Sequence, residues 1–370
     1  MDYTNSKLII DSKNLAPGAL RWRSPSNIAI VKYWGKYGRQ LPRNPSVSLT
    51  LQAAATDTTL RYTHRQGEQV GIELDFRFAG EARPDFAERV QKFLAELLPV
   101  FPFLKQLHLQ IDTDNSFPHS AGIASSASAM SALALALCSL ERELFGTLED
   151  EDEFLRKASY IARLGSGSAC RSVYPHAAVW GETGAVEGAS NEYAVPLTEG
   201  LHEVFQGFHD DILIISRAEK SVSSSVGHGL MEGNRYADLR YQEARQHMNE
   251  VVKALQLGDL DRFGRILEAE ALTLHALMMM SAPPYLLMQP NTIAAIQRVQ
   301  AFRRESGHPL YFTLDAGPNL HLLYPDSCAA PVQTFIREEL TPLCQDGFYI
   351  ADRCGQGPEQ LPVSQSGDRK

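Results

Sequence analysis

The segment Phe117-Pro118-His119-Ser120-Ala121-Gly122-Ile123-Ala124-Ser125-Ser126-Ala127 limits the possible folds of this chain more than any other. A proline- and glycine-containing loop runs into a stretch of alanine and serine, so a helix of small side chains begins where several backbone N–H groups converge. Such a helix can lie close beneath a bound ligand. Ser125 and Ser126 add hydroxyls able to bind a phosphate oxygen or a Mg2+ ion. The segment is not a G-x-x-x-x-G-K-[ST] loop, because no lysine stands at the helix start. A tight turn into a buried packing helix would account for the same residues, and only the rest of the chain separates the two readings.

At 370 residues the chain suits two domains, or one large domain with a smaller one packed against it. A formal net charge of -9 argues against nucleic acid or an anionic membrane as partner, since both attract an excess of Lys and Arg. It leaves room for a small basic pocket facing a phosphorylated ligand. Cys138, Cys170, Cys328, Cys344 and Cys354 are odd in number and form no CxxC pair, which points to a reducing cytoplasm without disulfides or a zinc site. Residues 1–18 lack the basic start and apolar core of a signal peptide. The apolar stretch 121–140 carries five serines, so no membrane span is expected there.

Alternation and apolar runs predict strands over residues 27–32, 47–51, 58–62 and 107–111, with a helix around 86–97. Helices follow over 125–144 and 152–164, then strands over 176–180 and 187–196. The pattern restarts with a strand at 211–216, long helices over 236–257, 260–279 and 292–306, and strands over 310–314 and 321–324 around a Gly-Pro turn. The fold class expected is α+β. Its divisions are an N-terminal extension to residue 23, a first domain over 24–205, a second over 206–354, and a disordered polar tail over 355–370.

Four further constellations carry chemistry. In Asn27-Ile28-Ala29-Ile30-Val31-Lys32-Tyr33-Trp34-Gly35-Lys36 an apolar strand closes on two lysines, which are costly to desolvate unless an anion meets them. Gly165-Ser166-Gly167-Ser168-Ala169-Cys170-Arg171-Ser172 is a hydroxyl-rich turn delivering one arginine, whose planar fork suits a carboxylate or phosphate; a surface Gly-Ser loop has the same composition. In Thr313-Leu314-Asp315-Ala316-Gly317-Pro318-Asn319 a carboxylate leaves a strand just before a Gly-Pro turn, a good place for a general base and also for a turn-stabilising aspartate. Lys220-Ser221-Val222-Ser223-Ser224-Ser225 is a hydroxyl-rich loop that fits phosphate contact or a solvated linker.

Taken together and in this order, from about Ser24 to Tyr324, these segments resemble the diphosphomevalonate decarboxylase family of the GHMP kinase superfamily. The superfamily's phosphate loop usually has glycine where this chain has Ala124; the decarboxylase branch has alanine there. The resemblance implies a two-domain GHMP-kinase-like fold with its active site in the cleft between the halves. It implies ATP-dependent decarboxylation of mevalonate diphosphate to isopentenyl diphosphate by a cytoplasmic homodimer using Mg2+. Asp315 would orient or deprotonate the tertiary hydroxyl, Lys32 would bridge that hydroxyl and the phosphoryl group, and Arg171, helped by Asn27, would hold the carboxylate. Pro118, Ser120, Ala121, Gly122, Ala124, Ser125 and Ser126 would serve ATP, Ser126 also Mg2+. Tyr33, Lys36, Ser166, Ser168, Ser223, Ser224 and Ser225 would face the diphosphate.

The chain departs from the family pattern in Asn44-Pro45-Ser46 where Asn-Ser-Ser is common, and in Gly227-His228 where Gly-Met is frequent. These positions shape the substrate pocket, so a monophosphate substrate stays open. So do a related 3-kinase that stops at the phosphorylated product and a catalytically silent binding protein of the same fold.

Overall fold

The computed structural model describes residues 2–11, 15–67, 71–117, 125–197, 200–218 and 222–363. The expected loop residues Pro118, Ser120, Ala121, Gly122 and Ala124, together with Lys220, lie outside them.

The first half is built on two long strands, β1 (Gly18–Val31) and β2 (Ser46–His64), paired antiparallel. The pairing slips between Pro25↔Ala55 and Asn27↔Thr50, so residues 51–54 bulge out of the ladder. Proline lacks the N–H that a regular ladder needs, and the slip falls beside it. The bulged backbone does not go unpaired: the N–H groups of Gln52, Ala53 and Ala54 donate to the buried Asp352 carboxylate at 2.9, 2.7 and 2.7 Å. An acidic side chain from the far end of the chain thus meets backbone donors whose burial without partners would be costly. The two strands expected over 47–51 and 58–62 are therefore one bulged strand, because Asp352 takes the backbone N–H groups of the bulge where a turn was expected.

Beyond the bulge, β2 pairs with β4 (Leu107–Asn115), which carries the parallel β3 (Glu73–Phe78); before it, β2 pairs with β5 (Ala177–Trp180), followed by β6 (Ala194–Pro196). Helices α1 (Pro84–Glu96), α2 (Ser125–Phe145) and α3 (Glu151–Gly165) complete this half. The serines of α2 earn their place by bonding to the sheet it covers. Ser139 accepts from the Trp22 indole at 3.0 Å, Ser131 from Ser24 at 2.7 Å, and Ser128 pairs with Thr56 at 2.6 Å. A buried hydroxyl costs little once bonded.

The second half begins with β7 (His209–Leu213), preceded by the turn of helix at Glu203–Gln206. It forms a four-stranded sheet with β8 (Tyr311–Thr313), β9 (Leu320–Tyr324) and β10 (Tyr349–Ile350). A short helix α4 (Ser224–Gly229) precedes the long helices α5 (Ala237–Leu257), α6 (Leu260–Met279) and α7 (Pro290–Ser306). The halves share a core: Ile28, Val47, Leu49 and Val179 from the first pack with Ile212, Met248, Val251 and Phe263 from the second. Burial of several such side chains, each contributing about 1.5–3 kcal/mol, ties the two sheets together.

Both chain ends depart from expectation. Residues 18–23 belong to β1, because Leu20 and Trp22 alternate inward with the arginines outward. The tail is not disordered from residue 355: β11 (Glu359–Leu361) pairs antiparallel with Arg21, Trp22 and Arg23, satisfying the open edge of β1. Polar composition hid a strand whose stability comes from edge pairing rather than from its own side chains.

Asp211 on β7 accepts from the Tyr324 hydroxyl at 2.5 Å and from the Asp352 N–H at 3.3 Å, and burial pushes its carboxyl up to about 6. A folded-state pKa above the unfolded one gives stability that is complete below about pH 4 and lost as pH rises through about 6. Relative to Asp211→Asn, the wild-type protein should therefore gain on the order of 2–3 kcal/mol when urea unfolding is moved from pH 7.5 to 4. An unchanged difference between the two proteins at both pH values would show that Asp211 does not titrate this way.

Candidate active site

Lys32 is the first residue past β1, and its side chain is 2% exposed. Its ammonium donates to Asp315 Oδ1 at 2.9 Å. Asp315 stands two residues past β8, where the Gly317 N–H closes a tight turn on the Asp315 carbonyl at 2.7 Å, and its carboxylate is 25% exposed. The two arrive from opposite halves of the chain, so the ion pair marks the cleft between them.

Arg171 lies on a 3-10 turn, Gly167–Val173, that is buried through most of its length. The surface Gly-Ser loop compatible with its composition is therefore not what forms. A Cβ on Gly167 would stand 2.8 Å from the Tyr33 ring and 2.9 Å from the Trp180 ring, so only glycine lets the turn close against them. The guanidinium donates to Ser48 Oγ at 3.0 Å, to Ser46 Oγ at 2.5 Å and to Asn27 Oδ1 at 3.3 Å. All three acceptors are neutral, and among the described residues Arg171 forms no ion pair. Burial lowers its pKa, with the Asp315 charge among the opposing influences. A buried cation held by dipoles alone is electrostatically incomplete until an anion arrives.

A cavity of about 710 Å³ joins these groups. Lys32, Tyr33, Lys36, Ser125, Ser126, Ser166, Ser168, Arg171, Ser223, Ser224, Ser225 and Asp315 all line it. Asn27 does not. It lies one layer behind, its amide donating to Ser172 Oγ at 2.8 Å and to the Ser168 carbonyl at 3.2 Å while its oxygen takes Arg171. Residue type could not separate a wall residue from one that orients the wall. Ser126 and Ser166 hydroxyls meet at 3.2 Å, bringing the start of α2 to the start of the arginine turn. Ser223 caps α4 by accepting the Val226 N–H at 3.3 Å.

Several groups are arranged as if for an anion. Lys36 donates to Gln40 Oε1 at 3.1 Å, and burial lowers its pKa. The Tyr33 hydroxyl is buried with no hydrogen-bond partner among the described residues. His228, in the place where Gly-Met is frequent, packs its ring against Tyr33 at 4.3 Å and Trp34 at 4.7 Å. Burial, with Lys36 nearby, pushes its pKa down to about 3, and its Nδ1 accepts the Gly35 N–H at 3.0 Å. His228 is thus a neutral wall of the cavity at physiological pH.

The sequence reading missed an apolar lobe of the same cavity, formed by Phe76, Phe78, Phe86, Val90, Phe93 and Met130. Helical spacing of Phe86, Val90 and Phe93 looked like ordinary core, and nothing local distinguishes core from an open lobe. Also missed were Arg240, Glu270 and His275, single charged or polar residues inside helices whose partners are distant in sequence. A pattern search along one segment carries no signal for them.

A family model described as the diphosphomevalonate decarboxylase-like N-terminal domain matches residues 24–191, and one for the mevalonate 5-diphosphate decarboxylase C-terminal domain matches 211–360. Diphosphomevalonate decarboxylase of Saccharomyces cerevisiae is 31% identical over 320 residues, covering 81% of this chain and 76% of that protein. The chain belongs to the diphosphomevalonate decarboxylase family.

Solved decarboxylase structures agree. Mevalonate diphosphate decarboxylase from Staphylococcus aureus superposes with a TM-score of 0.79 at 30% identity, over 94% of this chain and 99% of that one. The structure described as MDDEF in complex with MVAPP, AMPPCP and magnesium gives 0.77 at 28% identity, over 94% of this chain and all (100%) of the other. The two-domain decarboxylase architecture expected from the sequence is the one found. Among the described residues no helix is long and apolar enough to cross a membrane.

Proposed function

We propose that the cleft catalyses ATP-dependent decarboxylation of mevalonate 5-diphosphate to isopentenyl diphosphate, releasing ADP, phosphate and CO2, in the mevalonate route to isoprenoids. The observation that carries this reading is Arg171: a buried guanidinium with neutral acceptors only, in the same cavity as the Lys32 and Asp315 pair. A phosphoryl-transfer site alone would need the pair and the hydroxyl-rich loops. A second, separate cation suits a substrate that also presents a carboxylate.

A tertiary alcohol is a poor nucleophile and hydroxide a poor leaving group. The reaction therefore first forms a bond from the tertiary hydroxyl oxygen to the γ-phosphorus of ATP, breaking the bond to ADP. Asp315 aligns the hydroxyl and accepts its proton, while Lys32 shares its ammonium between the carboxylate and the transferring phosphoryl oxygens. Next the carbon-oxygen bond breaks and phosphate leaves. The electrons of the bond to the carboxylate become the new double bond as CO2 departs. Arg171 keeps that carboxylate oriented until it is released, with Asn27 steadying the guanidinium from behind. Most of the acceleration is positioning and charge neutralisation around phosphate oxygens.

Tyr33, Lys36, Ser166, Ser168 and the Ser223, Ser224 and Ser225 hydroxyls offer the donors for the substrate diphosphate. The apolar lobe around Phe76, Phe78 and Phe86 suits the flat base of ATP, leaving its phosphates beside Ser125 and Ser126. For Mg2+, the donors present are hard hydroxyl oxygens, Ser126 with Ser125. Among the described residues no group of three His, Cys, Asp or Glu makes a dedicated cage. That set fits an ion held largely by phosphate oxygens and water. When bound, Mg2+ supplies charge neutralisation on the ATP phosphates. A cytoplasmic homodimer belongs to the same reading; the cysteines are free and buried, as suits a reducing compartment.

The test is ADP release measured side by side with mevalonate diphosphate, mevalonate 5-phosphate and mevalonate, with labelled CO2 captured. ADP and CO2 in equal amounts from the diphosphate are expected. ADP without CO2 would make the protein a kinase, and no turnover with any of the three would leave a binding protein.

A further inference from the structure

Lys32 and Asp315 reach each other from opposite halves, yet neither backbone position is left to chance. Both are gripped by helix α6. Glu270, fully buried on that helix, accepts the Lys32 backbone N–H on Oε2 at 2.8 Å. Its carboxylate is held in turn by Arg240, whose Nη1 donates to Oε1 at 2.7 Å, and by His247 Nδ1 at 2.6 Å. Arg240 Nη2 and the Asn44 amide also donate to the Lys32 carbonyl, at 3.2 and 3.1 Å. Both main-chain groups of Lys32 are therefore fixed.

Five residues further along α6, His275 is 1% exposed and places Nε2 at 3.1 Å from the Asp315 carbonyl oxygen. A carbonyl only accepts, so Nε2 carries the proton of this bond. The helix lies close enough to do this because of Gly264: a Cβ there would stand 2.0 Å from the Tyr311 ring on β8, the strand that leads into Asp315. Lys32 and Asp315 thus share one ruler, with Glu270 at one mark and His275 at another.

We propose that α6 sets the separation of the Lys32 and Asp315 pair, and that His275 is a positioning residue for Asp315 acting through its main-chain carbonyl. Gripping the backbone fixes the origin of the Asp315 side chain, whose carboxylate meets Lys32 at 2.9 Å. The proposal rests on the decarboxylase reading of the cleft. Misplacement of a reacting group by about 1 Å costs on the order of 10²-fold in rate, so the His275 bond should matter to kcat more than to ligand affinity.

The experiment compares His275→Gln, His275→Asn and His275→Leu by steady-state kinetics with mevalonate diphosphate and ATP, alongside thermal unfolding. The Gln amide nitrogen can occupy the place of Nε2 and donate to the carbonyl; the Asn amide nitrogen falls short of it. His275→Gln should keep kcat within about threefold of wild type. His275→Asn should lose about 10- to 100-fold in kcat, with both KM values within about threefold. His275→Leu should match Asn if it folds, and if it does not, the Gln and Asn pair decides alone. Equal kcat for Gln and Asn would overturn the proposal, as would losses that follow melting temperature or that fall in KM. A wild-type protein that releases no CO2 from mevalonate diphosphate would instead remove the functional reading beneath it.

Discussion

Asp315→Asn should lower kcat by at least about 10³-fold while leaving the fold intact, since proton acceptance and alignment each contribute on the order of 10²-fold or more. The carboxamide oxygen can still accept from the Lys32 ammonium, now 2.9 Å from Oδ1. It has no basicity toward the substrate hydroxyl. The variant should therefore melt near the wild-type temperature while its turnover falls. Asp315→Ala is the blunter comparison. Removing the carboxylate that pairs with a lysine 2% exposed costs about 3–5 kcal/mol, so stability and rate would fall together. Coupled ADP release with circular dichroism melting separates the cases. Turnover within about tenfold of wild type in folded Asp315→Asn protein would rule out the proton-accepting role.

Arg171→Lys should lower kcat/KM for mevalonate diphosphate by about 10²- to 10³-fold, the equivalent of roughly 3–4 kcal/mol and so toward the lower end of what is at stake when one member of a buried charge pair is lost. An ammonium keeps the charge but cannot reproduce the fork that reaches Ser46, Ser48 and Asn27 at once while facing a carboxylate. Buried hydroxyls would be left short of a donor. The KM for ATP should change little, because the residues offered to ATP lie at the start of α2 and in the apolar lobe of Phe76, Phe78 and Phe86. A loss confined to the KM for ATP, or wild-type kcat/KM, would remove Arg171 from the carboxylate site.

How much of this was legible before folding can be judged residue by residue. Lys32, Arg171 and Asp315 stand out locally, because each is a charged residue embedded where a chain would otherwise place an apolar or turn residue. Helix α6 was also visible, with bounds that coincide with those expected, since its apolar spacing is a property of one segment. Asn27 looked the same whether it faced ligand or steadied Arg171. The tail looked disordered because its order comes from the edge of β1, more than 300 residues away in the chain.

The amino-acid sequence by itself determined the order of the long helices and of most strands, the placement of the charged side chains at segment ends, and the family to which they belong. These depend on periodicity and on residue chemistry within short windows. Only the tertiary structure decided which groups meet. The closure of β2's bulge on Asp352, the exclusion of Asn27 from the cavity, the aromatic lobe and the grip of Glu270 and His275 on the Lys32 and Asp315 backbones all join residues far apart in sequence. Such contacts are selected by packing two sheets around one core, and no local pattern encodes the distance between elements that only the complete core brings together.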